Sequence, residues 1–354
     1  MITLDELLEL SVKKNASDIF ISVGIKPSLK INGEIYSIYD EIIKPIDSET
    51  LVREMYKLNP EKFLKFKENG EDDFSISRAG VGRFRVSTYI QRGSVAAVLR
   101  VLPFGDLDFE EYNIPASIVD ISTYNKGLVI VTGATGTGKS TTLATIINMI
   151  NKTRSCHILT LEDPIEYLFK HDKAIVDQRE IGIDTKSYVS ALRSALRQAP
   201  DVIFLGEMRD FETMSVAMTA AETGHLVLST LHTTSASKTV DRIIDVFPPE
   251  QQQQVRIQLS TVLRAVISQQ LLPTVDQKRI AAFEVMYVNT AIKNLIRDSK
   301  IPQIDAMIQT GASEGMISMD KYISNLYNYG TITRETAIKY ASNAETISKY
   351  FKNN

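Results

Sequence analysis

Two different periodicities divide this chain. Through about residue 101, short runs of alternating apolar and polar residues are interleaved with amphipathic stretches. The first amphipathic stretch, at about 4–15, predicts a short helix. Alternating runs at 18–23, 28–31 and 34–38 predict strands, and Asn32-Gly33 between the last two is a two-residue hairpin signal. Helical stretches at about 48–57 and 60–69 lead to further runs at 73–77, 82–90 and 94–101, which read as a strand meander. Residues 1–101 thus read as a small α+β domain.

From residue 109 the pattern changes to short apolar runs separated by helical segments, the sequence form of a mostly parallel sheet with flanking helices. The stretch between, 102–108, has turn composition and reads as an interdomain linker and hinge. A final strand pattern at 279–287 gives way to a helical tail over about 290–343. The expected layout is a domain at 1–101, a linker at 102–108, an α/β core at 109–288 and a helical region at 289–354. The glutamine tract at 251–254 reads as a solvated helix turn.

The apolar run 127–132 ends in Gly-Ala-Thr-Gly-Thr-Gly-Lys-Ser at 133–140, which fits G-x-x-x-x-G-K-[ST] between a buried strand and a helix at about 141–151. Backbone N–H groups of Gly133, Ala134, Thr135, Gly136, Thr137 and Gly138 can curl around phosphate oxygens where side chains would block approach. Lys139 can reach the terminal phosphates, the Ser140 hydroxyl can ligate Mg²⁺, and Thr141 opens a helix whose positive end faces the anion. The motif makes this a nucleotide-binding protein.

Three further segments have the pattern of strand tips. Residues 157–161 are an apolar strand ending in Glu162-Asp163-Pro164-Ile165-Glu166. These carboxylates either cap a following helix, since Asp-Pro is a helix-start signature, or orient water and metal, with Glu162 polarising the attacking water. Residues 202–205 end in Gly206-Glu207 and resemble a Walker B strand; with glycine before the glutamate, the metal role falls to Glu207. The alternative is a strand-end glutamate paired with Arg209. His225 and His232 bracket a third apolar strand, and His232, beside Ser229 and Thr230, is placed to sense the γ-phosphate. His157 and His171 read as ordinary packing or surface histidines. In the first domain, Arg83 and Arg85 share one strand face and Arg100 lies on the next strand; by spacing alone they read as a solvated face.

Composition narrows the classes. A chain of 354 residues with 44% hydrophobic and 23% charged residues supports two domains with well-formed cores. A net charge of −3 gives no electrostatic reason to expect nucleic-acid binding. A single cysteine, Cys156, excludes an intrachain disulfide and a multi-cysteine zinc site, and suits a cytoplasmic compartment. The acidic, amphipathic start is unlike a signal peptide, and no apolar run approaches the roughly 18–20 residues of a membrane span. Any action at a membrane is expected to come through a partner.

Taken together, these segments resemble the secretion-type hexameric ATPases of the GspE/PulE superfamily, and more narrowly the pilus retraction ATPases, the PilT family. The matching stretches are 17–22, 82–86, the Walker A at 133–142, the aspartate box at 161–166, the Walker B at 205–210 and the histidine box at 223–233. Ala-Ile-Lys-Asn-Leu-Ile at 291–296 is close to the AIRNLI signature of retraction motors, followed by similar C-terminal segments at 315–320 and 330–333. Two features are expected to separate the chain from extension and secretion branches: a first domain that starts at once, and a single cysteine in place of the four-cysteine insertion. The departures are Phe20 for a frequent histidine, Gln270 for a basic residue, Ala199 for an acidic one, and Lys293 for arginine, which loses the planar guanidinium fork.

The resemblance implies a RecA-like P-loop NTPase core with a mostly parallel sheet, a preceding PAS-like α+β domain and C-terminal helices. It implies ATP and Mg²⁺ as cofactors, Lys139 and Ser140 on phosphate and metal, Glu162 for catalysis, Glu207 for the metal, and His225 and His232 as the histidine box. Arg85 and Arg100, fifteen residues apart, fit the paired arginines that reach the nucleotide from the first domain, which reverses the solvated-face reading. It further implies a homo-hexamer at the cytoplasmic face of the inner membrane, acting on a PilC-like platform protein and through it on pilin. Rival readings are an extension or type II secretion ATPase, a nucleotide-gated scaffold without turnover, and a DNA-translocating motor.

Overall fold

The computed structural model describes residues 2–31, 33–57, 59–102, 107 and 109–351. The chain divides into two compact units, Met1–Gly105 with Glu166–Phe169, and Asp106–Ile165 with Lys170–Asn354. The division falls inside the 102–108 stretch; its residues 103–106 and 108, and with them most of the expected hinge, lie outside the described residues.

In the first unit, strands β1 (Asp18–Ile21), β2 (Ser28–Ile31), β3 (Glu34–Ser37), β4 (Glu71–Arg78), β5 (Gly82–Gln91) and β6 (Ser94–Val101) form one antiparallel sheet in the order β3-β2-β1-β6-β5-β4. The alternation read from the sequence is the pleat itself: Phe84, Val86 and Thr88 of β5 are buried while Arg85 between them is exposed. The helix Leu4–Lys13 begins with a reciprocal cap, Thr3 Oγ1 accepting from Glu6 N and Glu6 Oε2 accepting from Thr3 N. Leu4, Leu7 and Leu8 then pack with Ile19, Leu29, Phe66 and Phe84 in the core. The second helix begins at Pro45 rather than near 48, because proline fits a first helical turn, where its missing N–H costs nothing. Ile31 pairs with Glu34 across the expected hairpin, with Gly33 at φ +88°; Asn32 lies outside the described residues.

In the second unit, β7 (Gly127–Thr132), β8 (His157–Glu162), β9 (Ile175–Glu180), β10 (Val202–Leu205), β11 (Leu226–Leu231), β12 (Leu263–Pro273) and β13 (Arg279–Tyr287) form a sheet ordered β13-β12-β7-β11-β10-β8-β9. Every neighbouring pair is parallel except β12 and β13. Each residue of β7, β10 and β11 is buried, which is why they read as unbroken apolar runs. The order has a functional consequence: the C-terminal ends of β7, β8, β10 and β11 lie along one edge, where ligands bind in such sheets.

Two strands are added to those expected from the sequence. β9 is a polar edge strand, and the apolar β12 follows the helix Pro249–Val262 directly, with no turn to mark its start. No helix follows Asp163-Pro164; the next strand or helix in the chain is β9, so the helix-capping reading of these acids falls. The glutamines at 251–254 lie in the first turns of the helix Pro249–Val262 and are largely exposed. The C-terminal region carries the helices Thr290–Arg297, Ile304–Thr310, Met319–Asn328 and Arg334–Tyr340. Among the described residues no helix is long and apolar enough to cross a membrane.

Candidate active site

The glycine-rich loop leaves β7 and enters the helix Lys139–Thr153, which starts two residues earlier than the sequence pattern placed it. Gly138 caps it at φ +89°, a conformation open to glycine. Neighbours set the loop's other requirement. A Cβ on Gly133 would lie 2.3 Å from Gln269 O, and one on Gly138 would lie 2.9 Å from Gln269 Nε2. Lys139 is buried and its ammonium donates to Gly133 O at 2.9 Å and Ala134 O at 3.0 Å, which holds the charge inside the curl of the loop. Ser140 is the second residue of the helix, where an unshared N–H and a hydroxyl stand together.

The structure supplies a residue that the sequence reading did not single out. Gln269 is buried on β12, one position beyond the pair Ser268–Thr132. Its Nε2 donates to Thr137 O at 2.7 Å, and its Oε1 accepts from Thr142 Oγ1 at 2.8 Å. One amide thus pins the loop to the first turn of its helix. The partners lie 132 and 127 positions away along the chain, so only the sheet order reveals them.

Hydrogen bonds join the other strand tips into one floor. Gly206 N donates to Leu161 O at 2.8 Å, Thr230 Oγ1 to Gly206 O at 2.6 Å, and Gly133 N to Leu231 O at 3.3 Å. Thr233 N donates to Thr132 Oγ1 at 3.0 Å, tying the end of the histidine segment to the start of the loop.

On this floor Glu162 is 5% exposed, and its Oε1 accepts from Thr160 Oγ1 at 2.6 Å and Gln178 Nε2 at 3.3 Å. Gln178 comes from β9, which gives that polar edge strand a role in orienting the carboxylate. Glu207 is largely buried; one oxygen pairs with Arg209 and the other lies 3.4 Å from His232 Nε2. The Arg209 pairing considered from the sequence is therefore present, and His232 shares the carboxylate. Gly206 also has a physical account: a Cβ there would lie 2.8 Å from the Tyr188 hydroxyl, so an aspartate would have to displace that phenol. Burial, and then the carboxylates of Asp163, Glu207 and Glu162, push the Tyr188 phenol well above its ordinary pKa.

His225 does not join this group. It precedes β11 and its Nδ1 lies 2.9 Å from Ala220 O, whereas the loop is beyond the other end of that strand. Six residues at about 3.3 Å each put roughly 20 Å between the two ends. Within one subunit His225 thus contacts the end of the helix before β11 and is not brought to the loop, whereas His232 is. His157 contacts Gln198 O and Asp177 Oδ2 at the same far end, and His171 accepts from Val176 N, as ordinary packing histidines do.

In the first unit, Arg85 and Arg100 are directly opposed across β5 and β6, and both are exposed. Arg100 Nε also meets Asp18 Oδ1 at 3.2 Å from β1 on its other side. Like charges facing each other across a sheet are unfavourable, so this pair concentrates positive charge at a cost to the domain. Arg83 instead donates to Ser77 Oγ at 2.9 Å.

A mostly parallel sheet with a phosphate-binding loop after one inner strand, and carboxylates at the tips of β8 and β10 on the same edge, defines a P-loop nucleotide hydrolase. The model of the family "Type II/IV secretion system protein" matches residues 1–313, and the chain belongs to that family. It is 45% identical over 345 residues to the type IV pilus retraction ATPase PilT of Pseudomonas aeruginosa, covering 97% of this chain and 99% of that one. A twitching motility protein of Neisseria gonorrhoeae is 49% identical over 284 residues, 80% of this chain and 76% of that one. The crystal structure of the pilus retraction motor PilT with bound ADP superposes with a TM-score of 0.90 at 44% identity, covering 99% of this chain and all of that one.

Proposed function

We propose that this chain is the ATP-hydrolysing subunit of a motor that powers retraction of type IV pili. The observation that carries the reading is the grouping of the phosphate loop, Glu162 and the Glu207–His232 pair along one edge of a parallel sheet. Near-full-length likeness to retraction ATPases directs that chemistry to pili.

The loop at 133–138 and Lys139 hold the phosphates. Mg²⁺ suits the donor set, since Ser140 and Glu207 offer hard oxygens and this ion is usually bound through one or two protein oxygens plus substrate phosphate. When bound, it neutralises charge that develops between the β- and γ-phosphates. Glu162, oriented by Thr160 and Gln178, polarises the attacking water, and its proton passes to that carboxylate. His232, held on Glu207, reports the γ-phosphate to β11. Arg85 and Arg100 supply positive charge from a first domain of the homo-hexamer. The ring works at the cytoplasmic face of the membrane against a platform protein.

Steady-state ATP hydrolysis tests the chemistry. The wild-type protein should turn over ATP, Lys139→Ala should lose nucleotide binding, and Glu162→Gln should keep binding with turnover reduced more than about 100-fold. Wild-type protein that binds ATP without hydrolysing it would favour the scaffold reading instead.

A further inference from the structure

Tyr188 stands beside the same strand tips and has no part in the steps above. It opens the helix Tyr188–Ala195, where Ser187 caps the first turn, and its ring packs against the main core. Its hydroxyl reaches over the backbone between β8 and β10. The point where a Cβ on Gly206 would sit is 2.8 Å from that oxygen, 3.5 Å from Glu162 Cα and 3.5 Å from Leu161 O. Gly206 is outside the left-handed region that favours glycine, so its backbone conformation does not explain the residue. The phenol does. The charges that act on the hydroxyl are the carboxylates of Asp163, Glu207 and Glu162, with the Arg209 cation opposing them.

We propose that Tyr188 is a further residue of the hydrolysis site, donating its phenolic O–H to the water that attacks the γ-phosphate, and that Gly206 is glycine to admit it. This rests on the ATPase reading above. In that step the water oxygen bonds to the γ-phosphorus, the bond to the bridging oxygen breaks with its electron pair leaving on ADP, and the water proton goes to Glu162. Tyr188 keeps its own proton throughout, as its buried position among carboxylates dictates. Its contribution is one directional hydrogen bond that fixes where the water lone pair points.

Tyr188→Phe retains the ring and removes the donor. It should lower kcat about 10-fold, with KM and affinity for a fluorescent ATP analogue within twofold. Gly206→Ala should give a similar loss, because the methyl displaces the hydroxyl, and the double variant should be no slower than either single one. Unchanged kcat in Tyr188→Phe, while the wild type turns over, overturns this inference and leaves the ATPase reading standing. Losses that multiply to about 100-fold in the double variant also overturn it, since they would place the two residues in independent roles. A wild type without turnover overturns the ATPase reading itself.

Discussion

Gln269 offers the sharpest test of how the loop is held. Gln269→Leu keeps the side chain's bulk but removes both the donor to Thr137 O and the acceptor for Thr142 Oγ1. A buried hydrogen bond contributes about 0.5–1.5 kcal/mol, so the two together hold the loop by about 2 kcal/mol. Without them, the cost of ordering the loop falls on nucleotide binding. At about 1.4 kcal/mol per factor of ten, ATP affinity should weaken roughly 30-fold. Thr142→Val breaks only one of the two bonds and should weaken it roughly fivefold, from about 1 kcal/mol. Titration with a fluorescent ATP analogue reads both, and the thermal midpoint reports whether the fold is intact. If a folded Gln269→Leu protein binds within twofold of wild type, Gln269 is a packing residue and the pinned-loop account is wrong.

Three other outcomes follow from the structure. Arg85→Gln should raise the stability of the first domain by about 0.2–1 kcal/mol in urea unfolding, by removing a like-charge neighbour of Arg100, while ATP turnover falls; a drop in both would place Arg85 in the domain's structure rather than its function. Glu284 is buried on β13, accepts from Ala236 N at 2.8 Å, and has its pKa raised above 4.5 chiefly by burial. The folded chain therefore holds that proton where the unfolded chain has released it. Its contribution is full below pH 4.5 and is lost as pH rises through the raised value. The unfolding free energy of wild type minus that of Glu284→Gln should thus grow as pH falls from 8 toward 5; a constant difference would contradict it. Ala199 adopts φ +50°, where a Cβ costs about 1–2 kcal/mol, so Ala199→Gly should stabilise by about 0.5–1 kcal/mol after the glycine's extra unfolded-state entropy, and loss of stability would refute the strain.

Most of the sheet was legible because fully buried parallel strands leave continuous apolar runs, as at β7, β10 and β11. The phosphate loop was legible for a local reason: its glycines, lysine and serine act within eight consecutive positions. β9 was not, because an edge strand with Asp177, Gln178 and Arg179 lacks that run, and with it went the support that Gln178 gives Glu162. Gln269 and Tyr188 were hidden for another reason. Their partners are set by strand order and helix placement, which a linear pattern does not encode. The separation of His225 from His232 was legible, since two residues that bracket a strand lie at its opposite ends. The facing of Arg85 and Arg100 was within reach, because the two-residue turn at Arg92-Gly93 pairs Gln91 with Ser94 and fixes the register of everything before it.

ATP hydrolysis at this site should drive pilus retraction in the cell. The most direct measurement deletes the gene in the organism that encodes it and counts surface pili and retraction events in cells complemented with wild type or Glu162→Gln. The account predicts accumulated pili and no retraction in the deletion strain and with Glu162→Gln, and normal retraction with wild type. Loss of surface pili on deletion would identify an assembly motor instead, and unaltered retraction in cells carrying Glu162→Gln would contradict the account outright.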